Sequence, residues 1–246
     1  MDLDTHTSGI IDNLIAAGLG VLIGLLWRRI VSLVTIRALR WFWAPKSAPK
    51  CFLYIGERSG LLAHEGEIEP LVHLADAKSA LDIKSLLQHY YDEVIVVTAE
   101  DQIEWSFPVV SIGGPVSNLI SRKAIEKGWL PVDFLDAPYA AGAKRRIGSK
   151  DKTEVYSPSF DEAGKLASDI GYFARIKSPL SDGQYIYLVA GNYGAGTYGT
   201  VQHALSPSAM LRIRFSAKSQ YFQQIVKVHI SGDRATKSET VTIKAM

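Results

Sequence analysis

Apolar positions along the chain change pattern twice. Residues 14–27 (LIAAGLGVLIGLLW) form an uncharged run, and Ile10 and Ile11 extend it past Asp12. A helix over residues 9–27 rises about 28 Å at about 1.5 Å per residue, close to the thickness of bilayer hydrocarbon. The run therefore predicts one transmembrane helix. Residues 28–43 (RRIVSLVTIRALRWFW) mix arginines with apolar residues. At about 100° per residue Arg29, Arg37 and Arg40 share an arc with Leu33 and Ile36, and the stretch ends in Trp41, Phe42 and Trp43. Snorkelling cations beside aromatic rings suit a headgroup region, so this part reads as a juxtamembrane helix. Residues 44–50 (APKSAPK) read as a stiff linker. The chain thus divides into a membrane segment, 1–27, a basic and aromatic segment, 28–50, and a folded domain, 51–246. A fragment from about Ala48 is expected to be soluble.

Beyond residue 50, short apolar runs alternate with helical periodicity, the pattern of a sheet flanked by helices. Strands are expected at 51–55, 94–97, 108–112 and, most clearly, 185–190 (YIYLVA). Leu74, Ala77, Leu81 and Leu87 mark a helix within 71–90, after a glycine-containing loop at 56–66. A second helix opens at Pro115 and stops at Gly128, and a third runs to Leu205. Residues 129–181 read as loops and short strands, one at 154–156, with a helix starting in 161–167. Strands at 211–215, 221–230 and 240–245 follow, with a turn at 231–234. The fold class is α/β: an N-terminal transmembrane helix, then a Rossmann-like, mostly parallel sheet with an antiparallel C-terminal hairpin.

Charge refines this picture. The 246 residues carry 27 basic and 25 acidic side chains, a balance that lacks the basic excess of a nucleic-acid groove. Asp2 and Asp4 precede the apolar run while Arg28, Arg29, Arg37, Arg40, Lys46 and Lys50 follow it. That asymmetry predicts a single-pass inner-membrane protein with its N-terminus outside and its domain in the cytoplasm. A secretory signal peptide has the opposite order. The lone cysteine, Cys51, permits no intrachain disulfide and fits a reducing cytosol. Gly20 and Gly24 form a G-x-x-x-G face through which a homo-oligomer can pack, although glycine is also simply common in membrane helices.

Chemistry is hinted at by a pair of glycine elements. In the first, Gly113, Gly114 and Pro115 join a strand to a helix, with Ser117 and Asn118 as hydrogen-bonding side chains. Such a junction lets an anionic ligand approach backbone N–H groups at a positive helix end, or it is merely a tight turn. In the second, Gly194, Gly196 and Gly199 follow Gly191 and precede Thr200 in the G-x-G-x-x-G spacing of dinucleotide sites. No acidic residue stands about 20 positions later to hold a ribose; Arg212 and Arg214 stand there, most simply on the solvent face of a strand. The histidines show no metal-ligand spacing, and no hydrolase elbow or P-loop occurs. Asp133 and Asp136 could be paired carboxylates, and Asp169 near Tyr172 could act beside a ligand, yet turns and surface loops routinely carry such residues. No catalytic constellation emerges.

The order of these elements, with VVSIGGPVSN, SDIGYFARIKSP and YLVAGNYGAGTYGT, resembles an uncharacterised group of prokaryotic α/β domains. That group has a GGP-x-x-N junction and a later G-x-x-G-x-G-T loop behind varied N-terminal modules. Gly113, Gly114, Pro115 and Asn118 match the first element, and Gly191, Gly194, Gly196 and Thr197 the second, within residues 52–205. The resemblance implies a Rossmann-like fold and brings no established activity. Joined to a membrane helix, such a domain is expected to sense a nucleotide or other phosphorylated small molecule and to signal to the membrane. The alternatives are a non-catalytic scaffold or a nucleotide-processing enzyme.

Overall fold

The computed structural model describes residues 3–44, 48–64, 67–135, 146–232 and 234–246, with side-chain environments for 17–44, 48–56, 72–135, 146–232 and 234–246. It opens with one continuous helix, α1 (Leu3–Trp43). Over Ala17–Trp43 this helix is long and apolar enough to cross a membrane. Leu22, Ile23, Leu25 and Trp27 on it are all more than half exposed.

The domain follows in the order β1 (Lys50–Ile55), β2 (Glu57–His64), β3 (Glu67–Val72), α2 (Leu74–Leu87), β4 (Glu93–Val97), β5 (Val109–Ile112), α3 (Leu119–Glu126), β6 (Val132–Phe134), β7 (Ile147–Ser149), β8 (Val155–Tyr156), β9 (Ser159–Phe160), β10 (Leu166–Lys177), β11 (Tyr185–Gly191), α4 (Gly194–Leu205), α5 (Pro207–Ala217), β12 (Phe222–Ser231) and β13 (Arg234–Ala245), with a short 3-10 turn after β4. The main sheet runs β13-β12-β10-β11-β5-β1-β4. Strands β4, β1, β5 and β11 are parallel neighbours, while β10, β12 and β13 extend the sheet antiparallel. One face is covered by α2, α4, α5 and the end of α1, through Ile83, Leu87, Val201, Met210 and Phe42. The other carries α3 and the small β6-β7-β8 sheet, through Ile120, Leu130 and Ile147.

Several expectations are corrected. Residues 161–167 start no helix: Asp161 Oδ1 accepts from Lys165 N at 2.8 Å and Gly164 adopts φ +75°, making a tight turn between β9 and β10. The stretch 129–181 does carry short strands, β6 to β9, but it also holds the twelve-residue β10, buried along most of its length. Residues 211–215 lie in α5, where Ala209, Met210, Ile213 and Ala217 are buried at helical spacing behind Pro207. Arg212 and Arg214 therefore sit on a helix, and Arg214 lies over the Trp41 ring at 5.4 Å. The loop at 56–66 is largely the β2–β3 hairpin, and α2 starts later than its apolar pattern suggested. Pro115 sits in a turn, and Asn118 rather than Pro115 opens α3.

The end of α1 is held in a socket. Phe42 and Trp43 are fully buried, Phe42 at 5.1 Å from the Phe173 ring and Trp43 stacked on Tyr187 at 5.2 Å. The last carbonyls of a helix have no partner inside it and carry its negative end. Here Phe42 O accepts from Tyr187 Oη and from Arg175 Nη1, both at 2.7 Å, and Trp43 O from Tyr91 Oη at 2.7 Å. Burial pushes both phenols well above their ordinary range, so they remain protonated donors. Arg175 is fully buried, and no ion pair among the described residues includes it. Its charge meets the helix's negative end and the faces of Trp41 at 4.8 Å and Phe222 at 5.5 Å.

Candidate functional site

Strands β5 and β11 end side by side and each is followed by a glycine turn. Gly113, at φ +113°, donates its N–H to Val189 O at 2.9 Å, tying the two strand ends together. Asn118 is fully buried: its Oδ1 accepts from Ser121 N at 2.8 Å and Ser111 Oγ at 3.0 Å, while Nδ2 donates to Ile112 O at 2.8 Å. Its polar atoms are thus engaged in capping α3. Thr197 acts alike at the second turn, its Oγ1 accepting from Gly191 N at 2.9 Å.

A cleft of about 230 Å³ opens between these turns. Of the residues singled out in the sequence, Gly114, Ser117, Gly191, Gly194 and Thr197 line it. Gly113, Asn118 and Gly196 stand outside the lining. A third junction completes the wall, because His73 caps α2 by accepting from Ala75 N at 3.3 Å and Asp76 occupies the first turn. Neither belongs to a glycine motif, and only a helix-start pattern at 73–76 marks them in the sequence. Phe134, from β6, closes the far side.

The glycine spacing at the second junction has its own packing reasons. A Cβ on Gly194 would lie 2.2 Å from His73 Cε1, one on Gly196 1.9 Å from Asp169 Oδ2, and one on Gly199 2.3 Å from Val228 Cγ1. The three glycines bring α4 onto α2, β10 and β12. Gly114 differs, since its added Cβ would have only Gly191 O at 3.5 Å and Phe134 Cζ at 3.9 Å within reach.

Asp169, treated as a surface carboxylate in the sequence reading, is fully buried. Tyr193, at the start of α4, offers no side-chain cap, and Asp169 supplies one from the neighbouring strand: its Oδ2 accepts from Tyr193 N at 2.8 Å. The positive end of α4 therefore already faces a carboxyl group of the protein. Burial raises this carboxyl to a pKa of about 7, against hydrogen bonds from Tyr193, Ile170, Gly196 and Asn192 that pull it down. Asp136 lies outside the described residues. No family model matches the chain, and no curated protein matches it either.

Asp169 makes stability pH-dependent. Its folded pKa of about 7 exceeds the ordinary 3.8, so the folded state holds an extra proton between those values. The contribution is full below about 4, falls as pH rises through this window and levels above about 7. His203 works oppositely: burial, aided by Arg212, lowers it from 6.5 to about 4, so its contribution is lost as pH falls through that range. Comparison with Asp169→Asn isolates the first effect. Urea unfolding should show wild type gaining, relative to D169N, on the order of 2 kcal/mol between pH 7.5 and pH 5. Parallel pH profiles would mean that the hydrogen bonds outweigh burial.

Proposed function

We propose that this protein is a membrane-anchored sensor whose cytoplasmic, Rossmann-like domain binds a nucleotide or another phosphorylated small molecule and transmits its presence to α1. The observation that carries the reading is convergence: glycine turns distant in sequence, around Gly114 and Gly191, line one cleft beyond the carboxyl ends of the parallel strands β5 and β11. Ligands of open α/β sheets bind at such edges. The orientation follows from the arginines on the domain side of the apolar run, at 28, 29, 37 and 40.

Transmission is supported by connectivity. Strand β10 carries Asp169 at the cleft end and Arg175 at the socket, and β11 runs from Tyr185 and Tyr187 at the socket to Gly191 at the cleft. A ligand that shifts the glycine turns therefore acts on strands whose other ends hold α1. A scaffold is the competing reading, favoured by the packing role of Gly194, Gly196 and Gly199.

The test is a thermal-shift screen of the full chain in lipid nanodiscs against nucleotides and dinucleotides, with Gly114→Val as control. A ligand at about 100 times its Kd adds about 2.7 kcal/mol of stability. Wild type should shift, and the valine variant, folded but with its cleft filled, should not. No shift by any panel member favours the scaffold, and turnover of a binding ligand would make the protein an enzyme.

A further inference from the structure

Where α1 enters the domain, positive charge gathers without matching carboxylates. The half-buried Trp41 ring carries two guanidiniums, the buried Arg175 at 4.8 Å and the exposed Arg214 of α5 at 5.4 Å. Arg37 lies one turn before Trp41 on α1, Arg40 precedes it directly, and Lys218 follows the last turn of α5; all three are exposed. No ion pair among the described residues includes any of these five cations. Of the acidic side chains at this edge of the sheet, Glu93 and Asp182 are taken by Lys50 and Lys177, and Asp92 lies just before the edge strand β4. The sequence suggested Trp41, Phe42 and Trp43 for a headgroup region, but the socket buries the last two. The aromatic ring left open to the surroundings here is Phe215, next to Arg214 and 73% exposed.

What meets this patch follows from α1. The helix that is long and apolar enough to cross a membrane runs into the patch without a break, so a bilayer is the surface held closest to it. From Trp27 to Arg37 the helix rises about 15 Å at about 1.5 Å per residue. Its side chains there are still apolar, with Ile30, Val31, Leu33, Val34 and Ile36 about half exposed. An upright α1 would hold the patch beyond a headgroup layer about 5–8 Å deep, whereas a helix tilted toward α5 lays these apolar side chains along the interface and brings the patch onto it. Resting on the reading of α1 as a membrane anchor, we infer that this end of the domain docks on an anionic bilayer surface. Arg37, Arg40, Arg214 and Lys218 meet the lipid phosphates and Phe215 enters the headgroup layer, an arrangement of cations beside an apolar ring that suits a membrane interface. The anionic lipids of a cytoplasmic leaflet supply the complementary charge.

The experiment places the full chain in nanodiscs of phosphatidylcholine alone or with about a third phosphatidylserine. A fluorophore on the exposed position of Ser216→Cys reports contact through a quencher carried on lipid headgroups, and the fully buried Cys51 stays unlabelled. Quenching should be at least about 3-fold stronger in the anionic discs and should fall to the neutral level in high salt. Arg214→Gln with Lys218→Gln, or Phe215→Ser alone, should remove most of the difference while circular dichroism stays that of wild type. Lys165→Gln with Lys237→Gln removes the same charge from exposed sites at the other end of the sheet and should leave the difference intact. Equal quenching in both lipids, or a difference that survives Arg214→Gln with Lys218→Gln, overturns the docking while α1 remains an anchor. Extraction of the chain from lipid vesicles by alkaline carbonate overturns the anchor and this inference together.

Discussion

A fragment that starts at Ala48 is expected to lose cooperative unfolding, and one that starts at Arg37 is expected to keep it. The cut before Arg37 leaves Ala38, Phe42 and Trp43 in place, whereas the later one removes all three, which are buried in the domain. Phe42 touches the rings of Phe173, Tyr187 and Phe222 at 5.1, 6.2 and 5.3 Å, and Trp43 packs on Phe173 and Tyr187. Truncating a single buried Phe or Trp to Ala typically costs about 3–5 kcal/mol, and total stabilities are about 5–15 kcal/mol. The later cut also strips Arg175 of the Phe42 and Trp41 carbonyls, leaving a buried guanidinium short of acceptors. Urea unfolding of the two fragments followed by circular dichroism decides the matter. A cooperative, well-folded Ala48 fragment would show that the socket contributes little. Within the full chain, Arg175→Met should cost on the order of 3 kcal/mol through the same contacts.

Gly196→Val should destabilise the domain by about 4 kcal/mol or more, although Gly196 does not line the cleft. The new Cβ would come within 1.9 Å of Asp169 Oδ2 and 2.5 Å of its Cγ. That carboxyl is held by backbone donors on both oxygens and cannot swing aside without leaving the α4 N-terminus uncapped. Overpacking alone costs about 1–3 kcal/mol, and losing the cap about 1 kcal/mol more. Valine adds methyl groups beyond the Cβ, so we expect the upper end or worse. Gly196→Ala should show the same conflict in milder form, and Asp169→Ser in that background should recover part of the loss, a coupling readable in a double-mutant cycle. If Gly196→Ala unfolds like wild type, the contact is not what makes this position glycine.

The apolar N-terminal helix, the parallel strands and the hairpin could be read from the sequence because each rests on one strong regularity. Residues 185–190 are apolar throughout, and the β11 they predict is buried on both faces. Strand β10 escaped because its polar residues break that regularity: Asp169 caps α4, Gly171 admits Thr200 Oγ1 at 2.0 Å from where a Cβ would be, and Arg175 holds α1. Alternation in LRIRF suggested a strand, since four or five residues fit either period until Met210 and Ala217 extend the helical one. The glycine junctions were visible, as was their common place at one edge of a sheet, whereas the immediate adjacency of β5 and β11 depends on sheet order. His73 and Asp76 belong to the third junction and carry only a helix-start pattern, which does not point to a ligand.

The central claim is that both glycine turns form one ligand site, and hydrogen exchange on the full chain in nanodiscs tests it most directly, with and without a mixture of common nucleotides and dinucleotides. The account predicts that the amides of Gly114, Val116 and Ser117 and of residues 192–195 gain protection together, with smaller changes at residues 41–44 in the socket. Protection confined to one turn, or appearing only elsewhere on the domain, would contradict it.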